Sequence, residues 1–156
     1  MQIHSLTLDD FSSTDYSLIG IHSPVEDYRL AYLLNLHLQL NLKRSDFDID
    51  VTKDNIDAFF SLYEFTHNAT ENSWYLISNY HKNKVAGNNL SLFSESQTVT
   101  YLLPERKKVD YFLKLEGDFN SMTINKTIES INKIPQIVTS YSIDTNKLKS
   151  KESLIF

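Results

Sequence analysis

A chain of 156 residues with 41% apolar residues, nine Tyr and nine Phe can bury one core and is too short to divide comfortably, so residues 1–156 are read as one domain. Its formal charge of −5 disfavours attraction to a polyanion, and nucleic acid is not an expected partner. The lack of cysteine excludes disulfides, thiolate nucleophiles and cysteine-ligated metals, and no apolar run reaches the ~20 residues of a membrane-spanning helix, so no membrane partner is expected.

Residues 1–15 read as a polar lead-in without the basic start and apolar centre of a secretion signal, which makes the cytoplasm the expected compartment. Tyr16–His22 is a short apolar strand. Ser23-Pro24-Val25-Glu26 then has the form of a capping box, with the Ser23 hydroxyl, Pro24 in the first helical position and Glu26 reaching back to the Ser23 amide. The helix it opens is expected to run to about His37, and Val25, Tyr28, Ala31, Tyr32 and Leu34 give it more apolar surface than one stripe needs. That breadth implies contact on two sides, or a partner. Between Leu34 and Leu42 every second residue is apolar, a strand period that leaves the helix end open.

Asp46–Val51 alternates as a strand with an acidic outer face. Asp46, Asp48 and Asp50 have the spacing of a calcium loop's first ligands, but Val51 stands where the tight turn needs Gly and Asp57 where a longer Glu is usual, so no metal is expected. Phe59–Thr66 and Trp74–Tyr80 form a hairpin of aromatic strands, and His81–Glu95 reads as a surface connection. Thr98–Leu103 and Val109–Glu116 are expected to pair as neighbouring antiparallel strands about the charged break at Pro104–Lys108, the second with only one face buried. Beyond Gly117, Ile124, Ile128, Ile131 and Ile134 recur at helical spacing until Pro135. Gln136–Ile143 returns as a strand parallel to Val109–Glu116 through a right-handed crossover, and residues 145–156 are a peripheral tail with Leu154, Ile155 and Phe156 as its docking candidates. The fold class is α+β: a mixed, mainly antiparallel sheet with two main helices on one face, ferredoxin-like in part.

Leu103-Pro104-Glu105, three spacers and Val109-Asp110-Tyr111 resemble the signature of the uncharacterised bacterial proteins named for the pattern IPExxxVDY, with Leu103 in place of Ile. Leu18–His22 and Glu26–Asn35 are similar to that family's opening segment, so the likeness covers roughly a quarter of the chain and implies full-length membership. The family has no assigned activity, so the resemblance supplies no ligand, cofactor or catalytic residue.

The candidate chemistry lies in the same stretch. Glu105 and Asp110 either meet as a catalytic or metal-gripping pair, or serve the corner itself. In the second reading, which is preferred, Asp110 accepts hydrogen bonds from the amides of residues 105–108, Tyr111 packs inward and Glu105 pairs with a lysine. The five histidines are scattered singles, and no glycine-rich phosphate loop or nucleophile elbow is present. These residues lead to the expectation of a non-enzymatic, cytoplasmic interaction module without cofactor, whose unidentified protein partner contacts Pro104, Glu105, Val109, Asp110 and Tyr111, with Asp27, Tyr28 and Arg29 as the second polar group. The alternatives are a small-ligand-binding regulatory domain of the amino-acid-sensor type, suggested by the terminal strand–helix–strand unit, and a carboxylate hydrolase using Glu105 and Asp110. The oligomeric state is not readable from the residues.

Overall fold

The structure is a computed structural model that describes residues 15–84 and 97–156; apart from Asp15 the lead-in lies outside the described residues, as does most of the connection after His81. In chain order the elements are β1 (Tyr16–His22), α1 (Asp27–Leu38), β2 (Lys43–Arg44), β3 (Ile49–Lys53), β4 (Ile56–Phe60), β5 (Leu62–Thr66), β6 (Ser73–Ser78), β7 (Tyr80–Lys84), β8 (Gln97–Tyr101), β9 (Tyr111–Glu116), α2 (Ser121–Asn132) and β10 (Thr139–Ile143). The main sheet has six strands in the order β10-β1-β9-β6-β5-β2, and β3-β4 and β7-β8 form separate two-stranded ribbons.

β9 and β10 are each antiparallel to β1, so they run parallel to one another with β1 inserted between them. β6 is antiparallel to β9 on its other side. The order β10-β1-β9-β6, with α1 following β1 and α2 joining β9 to β10, is the ferredoxin-like plan of two split βαβ units, extended at one edge by β5 and β2.

Strand alternation sorts the core into two layers. Ile19, Ile21, Leu76, Tyr111, Leu113 and Leu115 face the two helices, where they meet Leu30, Leu33, Leu34 and Ile131. Leu18, Ile77 and Phe112 face the other way and are covered by Ala58 and Phe60 of β4, by Leu102 and Leu103, and by Leu148 and Leu154. The central strand β9 is therefore buried on both faces, not one, with Phe112 in the second layer. Residues 145–156 are not peripheral: Leu148 and Leu154 close the second layer, while Ile155 and Phe156 stay half exposed.

The hairpin of Phe59–Thr66 with Trp74–Tyr80 forms, as Leu62↔Ile77 through Thr66↔Ser73, but its first strand breaks at Ser61 into β4 and β5, which join different sheets. β3 begins at Ile49 and pairs only with β4, so the acidic run at Asp46–Asp48 precedes it. His81 belongs to β7, which pairs with β8 across Tyr80↔Tyr101. The expected pairing of Thr98–Leu103 with Val109–Glu116 is thus replaced: β8 takes β7 and β9 takes β1 and β6.

The capping box also fails, because Ser23 is drawn into the core. Its amide donates to Asp110 Oδ2 at 2.9 Å and its hydroxyl to the Gln136 carbonyl at 2.8 Å, so α1 starts later, with Glu26 as N-cap and no side-chain cap. At the far end Gln39 adopts a left-handed φ of 55° and stops the helix. The alternating leucines beyond do not pair as a strand; Asn35 exchanges two side-chain bonds with the backbone of Leu42, at 2.8 and 3.1 Å.

Candidate functional site

Residues 102–110 form a corner that begins with Leu102 and Leu103 buried, makes a 3-10 turn over Pro104–Arg106 and enters β9 with Val109 buried. Its buried polar groups need partners that no ladder provides. Asn79, fully buried between β6 and β7, supplies them. Its side-chain amide donates to the carbonyls of Arg106 and Val109, its Oδ1 accepts from the Leu103 amide, and its own backbone bonds Asp110 and Leu102. Sequence reading gave this residue no role, since one Asn after an aromatic strand looks like any turn.

Each acid of the signature goes elsewhere. Asp110 does not cap the turn; its carboxylate holds the Ser23 amide, and its backbone amide donates to Ile21, tying the corner to the end of β1. Glu105 does not pair with a lysine ammonium; its carboxylate accepts from the amides of Lys149 and Ser150 and from the Ser150 hydroxyl, at 2.7–3.0 Å. Partial burial pushes the Glu105 carboxyl up, but these bonds and one from its own backbone outweigh it and hold the group below its ordinary range. The two carboxylates are therefore bound to different segments. Val109 and Tyr111 are buried, and the Tyr111 hydroxyl donates to the Val25 carbonyl at 2.6 Å. Burial first, then neighbouring Tyr80 and Asp27, push that phenol well above its ordinary range. Of the signature residues Glu105 is exposed and Pro104 and Asp110 are partly so.

Asp27, Tyr28 and Arg29 lie on the first turn of α1, where Asp27 comes near Tyr111. Leu30, Ala31, Leu33 and Leu34 bury the inner side of this helix. Its outer side carries Tyr28, Tyr32 and Leu36, each more than 60% exposed and each one helical step of four from the next. The helix is apolar nearly all round, and one stripe of it has no cover among the described residues.

A cavity of about 440 Å³ opens beside the start of α1, between that turn, the end of β6 and the start of β7. Asp27 and Tyr111 line it together with Arg44, Tyr80, His81 and Lys82. No group of three His, Asp or Glu among the described residues is placed to hold a metal ion, and Asp48 of the acidic run pairs with Arg44. His22, His67 and His81 bond to separate partners.

On the opposite face Lys114 of β9 is 1% exposed. Its ammonium donates to the Leu154 carbonyl, pairs with Glu116 and lies 4.3–5.4 Å from the ring centres of Tyr16, Tyr75 and Phe156. Residues 148–156 are thus held at both ends, by Glu105 and by Lys114. Comparison with protein-family models, with curated proteins and with solved structures gives no match.

Proposed function

We propose that this protein is a non-enzymatic interaction module whose partner, another protein, docks on the outer side of α1. The observation that supports the reading is the stripe of Tyr28, Tyr32 and Leu36. A single exposed apolar side chain is ordinary, but three in line on a helix whose other side is core form a contiguous apolar surface, and such surfaces mark contact sites. Tyr28 and Tyr32 bring large contact area with few rotamers to fix, which suits recognition, and Arg29 beside them gives the rim a charge.

On this reading the signature corner is scaffold, and its resemblance to the IPExxxVDY proteins is carried by residues with distinct fold duties. Pro104 opens the 3-10 turn, Glu105 holds residues 149–150, Val109 fills the second core layer, Asp110 holds Ser23 and Tyr111 holds Val25. We infer kinship with that family on those grounds, and the cytoplasm as compartment on the sequence grounds given above.

The test places a photocrosslinking residue at position 32 and, as control, at exposed position 129 of α2. A discrete protein other than this chain, captured from position 32 only and lost in Tyr28→Ser/Leu36→Ser, supports the reading, and capture of this chain alone overturns it. Identical products from both positions, with the double variant folded, overturn it.

A further inference from the structure

We infer that the free edge of β10 is a strand-pairing surface for a second copy of this chain, and that the side chain of Asn132 holds it closed. β10 is the outermost strand at its end of the main sheet and pairs only with β1 among the described residues. Such an edge carries amides and carbonyls with no ladder partner, and natural sheets protect it with charge, proline, a bulge or a cover. Charge is missing here: no charged residue lies between Lys133 and Asp144, and the run from Ile137 to Ile143 is rich in β-branched and aromatic side chains. Pro135 precedes the strand, and Val138 at its start is 75% exposed.

The register identifies the backbone groups that face outward. The Ile21 carbonyl accepts from the Asp110 amide on the β9 side, so the backbone of Ile21 is turned away from β10 and the pair Ile21↔Ser140 is of the non-hydrogen-bonded kind. The amide and carbonyl of Ser140 therefore point to the free edge, and by the two-residue period those of Ser142, opposite Ile19, do the same. Asn132, the last residue of α2, meets Ser140 there as a neighbouring strand would: its Oδ1 accepts from the Ser140 amide at 2.7 Å and its Nδ2 donates to the Ser140 carbonyl at 3.2 Å. The Ser140 hydroxyl donates to the same Oδ1 at 3.0 Å and helps to hold the carboxamide in place. The backbone groups of Ser142 have no such partner among the described residues.

A strand arriving to bond Ser142 has to bond Ser140 as well, and there Asn132 stands in its path. With the carboxamide removed the edge is complementary to itself. Two antiparallel copies of β10 about a two-fold axis at Tyr141 bring Ser140 of one opposite Ser142 of the other, and each such pair exchanges both backbone bonds. The two Tyr141 side chains, each 37% exposed in the single chain, then lie side by side as a cross-strand aromatic pair. No charge on either strand opposes the approach, and this match of the edge to itself makes a second copy its occupant.

Sedimentation velocity of the full chain over a wide concentration range, with amide hydrogen exchange on the same samples, tests this. Asn132→Ala is expected to self-associate at least about tenfold more tightly than the parent, and the Ser142 amide, fast to exchange in the parent, is expected to become protected. Adding Ser142→Pro, which removes an amide without a partner in the single chain and suits an edge position, is expected to restore the parent's behaviour. Asn132→Ser, too short to span both groups of Ser140, decides in place of the alanine variant should that fail to fold, and protection of the Ser142 amide decides should the proline variant fail. Self-association no tighter than the parent's, association that survives Ser142→Pro, or a Ser142 amide already protected in the parent overturns the inference.

Discussion

The side-chain amide of Asn79 donates to the carbonyl of Val109 at 2.8 Å, thirty residues further along the chain. With its bonds to Arg106 and Leu103, one side chain does for the corner what a neighbouring strand would do for a straight segment. β8 is thereby free to pair with β7 outside the main sheet, and β9 enters the sheet centre in register with β1 and β6.

Replacing Asn79 with Ala strands the Val109 carbonyl and the Leu103 amide in the core, where each unsatisfied group costs about 1–3 kcal/mol, and leaves the Arg106 carbonyl with the Val109 amide alone. Asn79→Ala is expected to lower unfolding free energy by about 3–5 kcal/mol, allowing for partial relaxation. Urea denaturation at unchanged m-value measures it, and a loss under about 1 kcal/mol would mean that water or a shifted backbone replaces the side chain.

The sequence made most elements legible and left their partners hidden, for one reason. β1, β5, β6, α2 and the hairpin loop are written in local periodicity and turn residues, and they appear close to where periodicity puts them. Partner choice at the corner depends on Asn79, and the start of α1 on Asp110 and Gln136, all distant in sequence from what they bind. A local rule gave Ser23 to the helix and Asp110 to the turn amides, because each type commonly does that work. In the fold they satisfy each other at a separation of 87 residues. Of the candidate site, the excess apolar surface of α1 and the inward packing of Val109 and Tyr111 were readable from periodicity, whereas the separate partners of Glu105 and Asp110 required the tertiary fold.

Glu105 makes stability depend on pH in a defined direction. Its folded-state pKa lies below the ordinary value of 4.5, so its contribution is full above that value and disappears as pH falls through the lower folded value. The group is exposed, which limits the gain to below about 1 kcal/mol. At neutral pH Glu105→Gln should therefore be slightly less stable than the parent, and the gap should close between about pH 5 and pH 3. Hydrogen exchange at residues 149–150 should rise in the variant first; a gap that widens toward low pH would contradict the assignment.

Lys114 and Glu116 give a sharper test, since the two halves of this ion pair are unequally buried. The lysine side chain is 2% exposed and the glutamate 36%. Removing the carboxylate leaves an ammonium in the core with one carbonyl and three ring faces, and breaking a buried pair in this way costs several kcal/mol when the charge left behind is buried. Removing the lysine leaves a carboxylate that reaches water. Methionine, of similar length and compatible with aromatic neighbours, fills the space. Glu116→Ala should therefore lower stability by about 2 kcal/mol, and Lys114→Met by less than about 1 kcal/mol. If the methionine variant were the less stable of the two in chemical denaturation, the ammonium would be anchoring Leu154 and Phe156 for a net gain, and residues 148–156 would release from the sheet face with its loss.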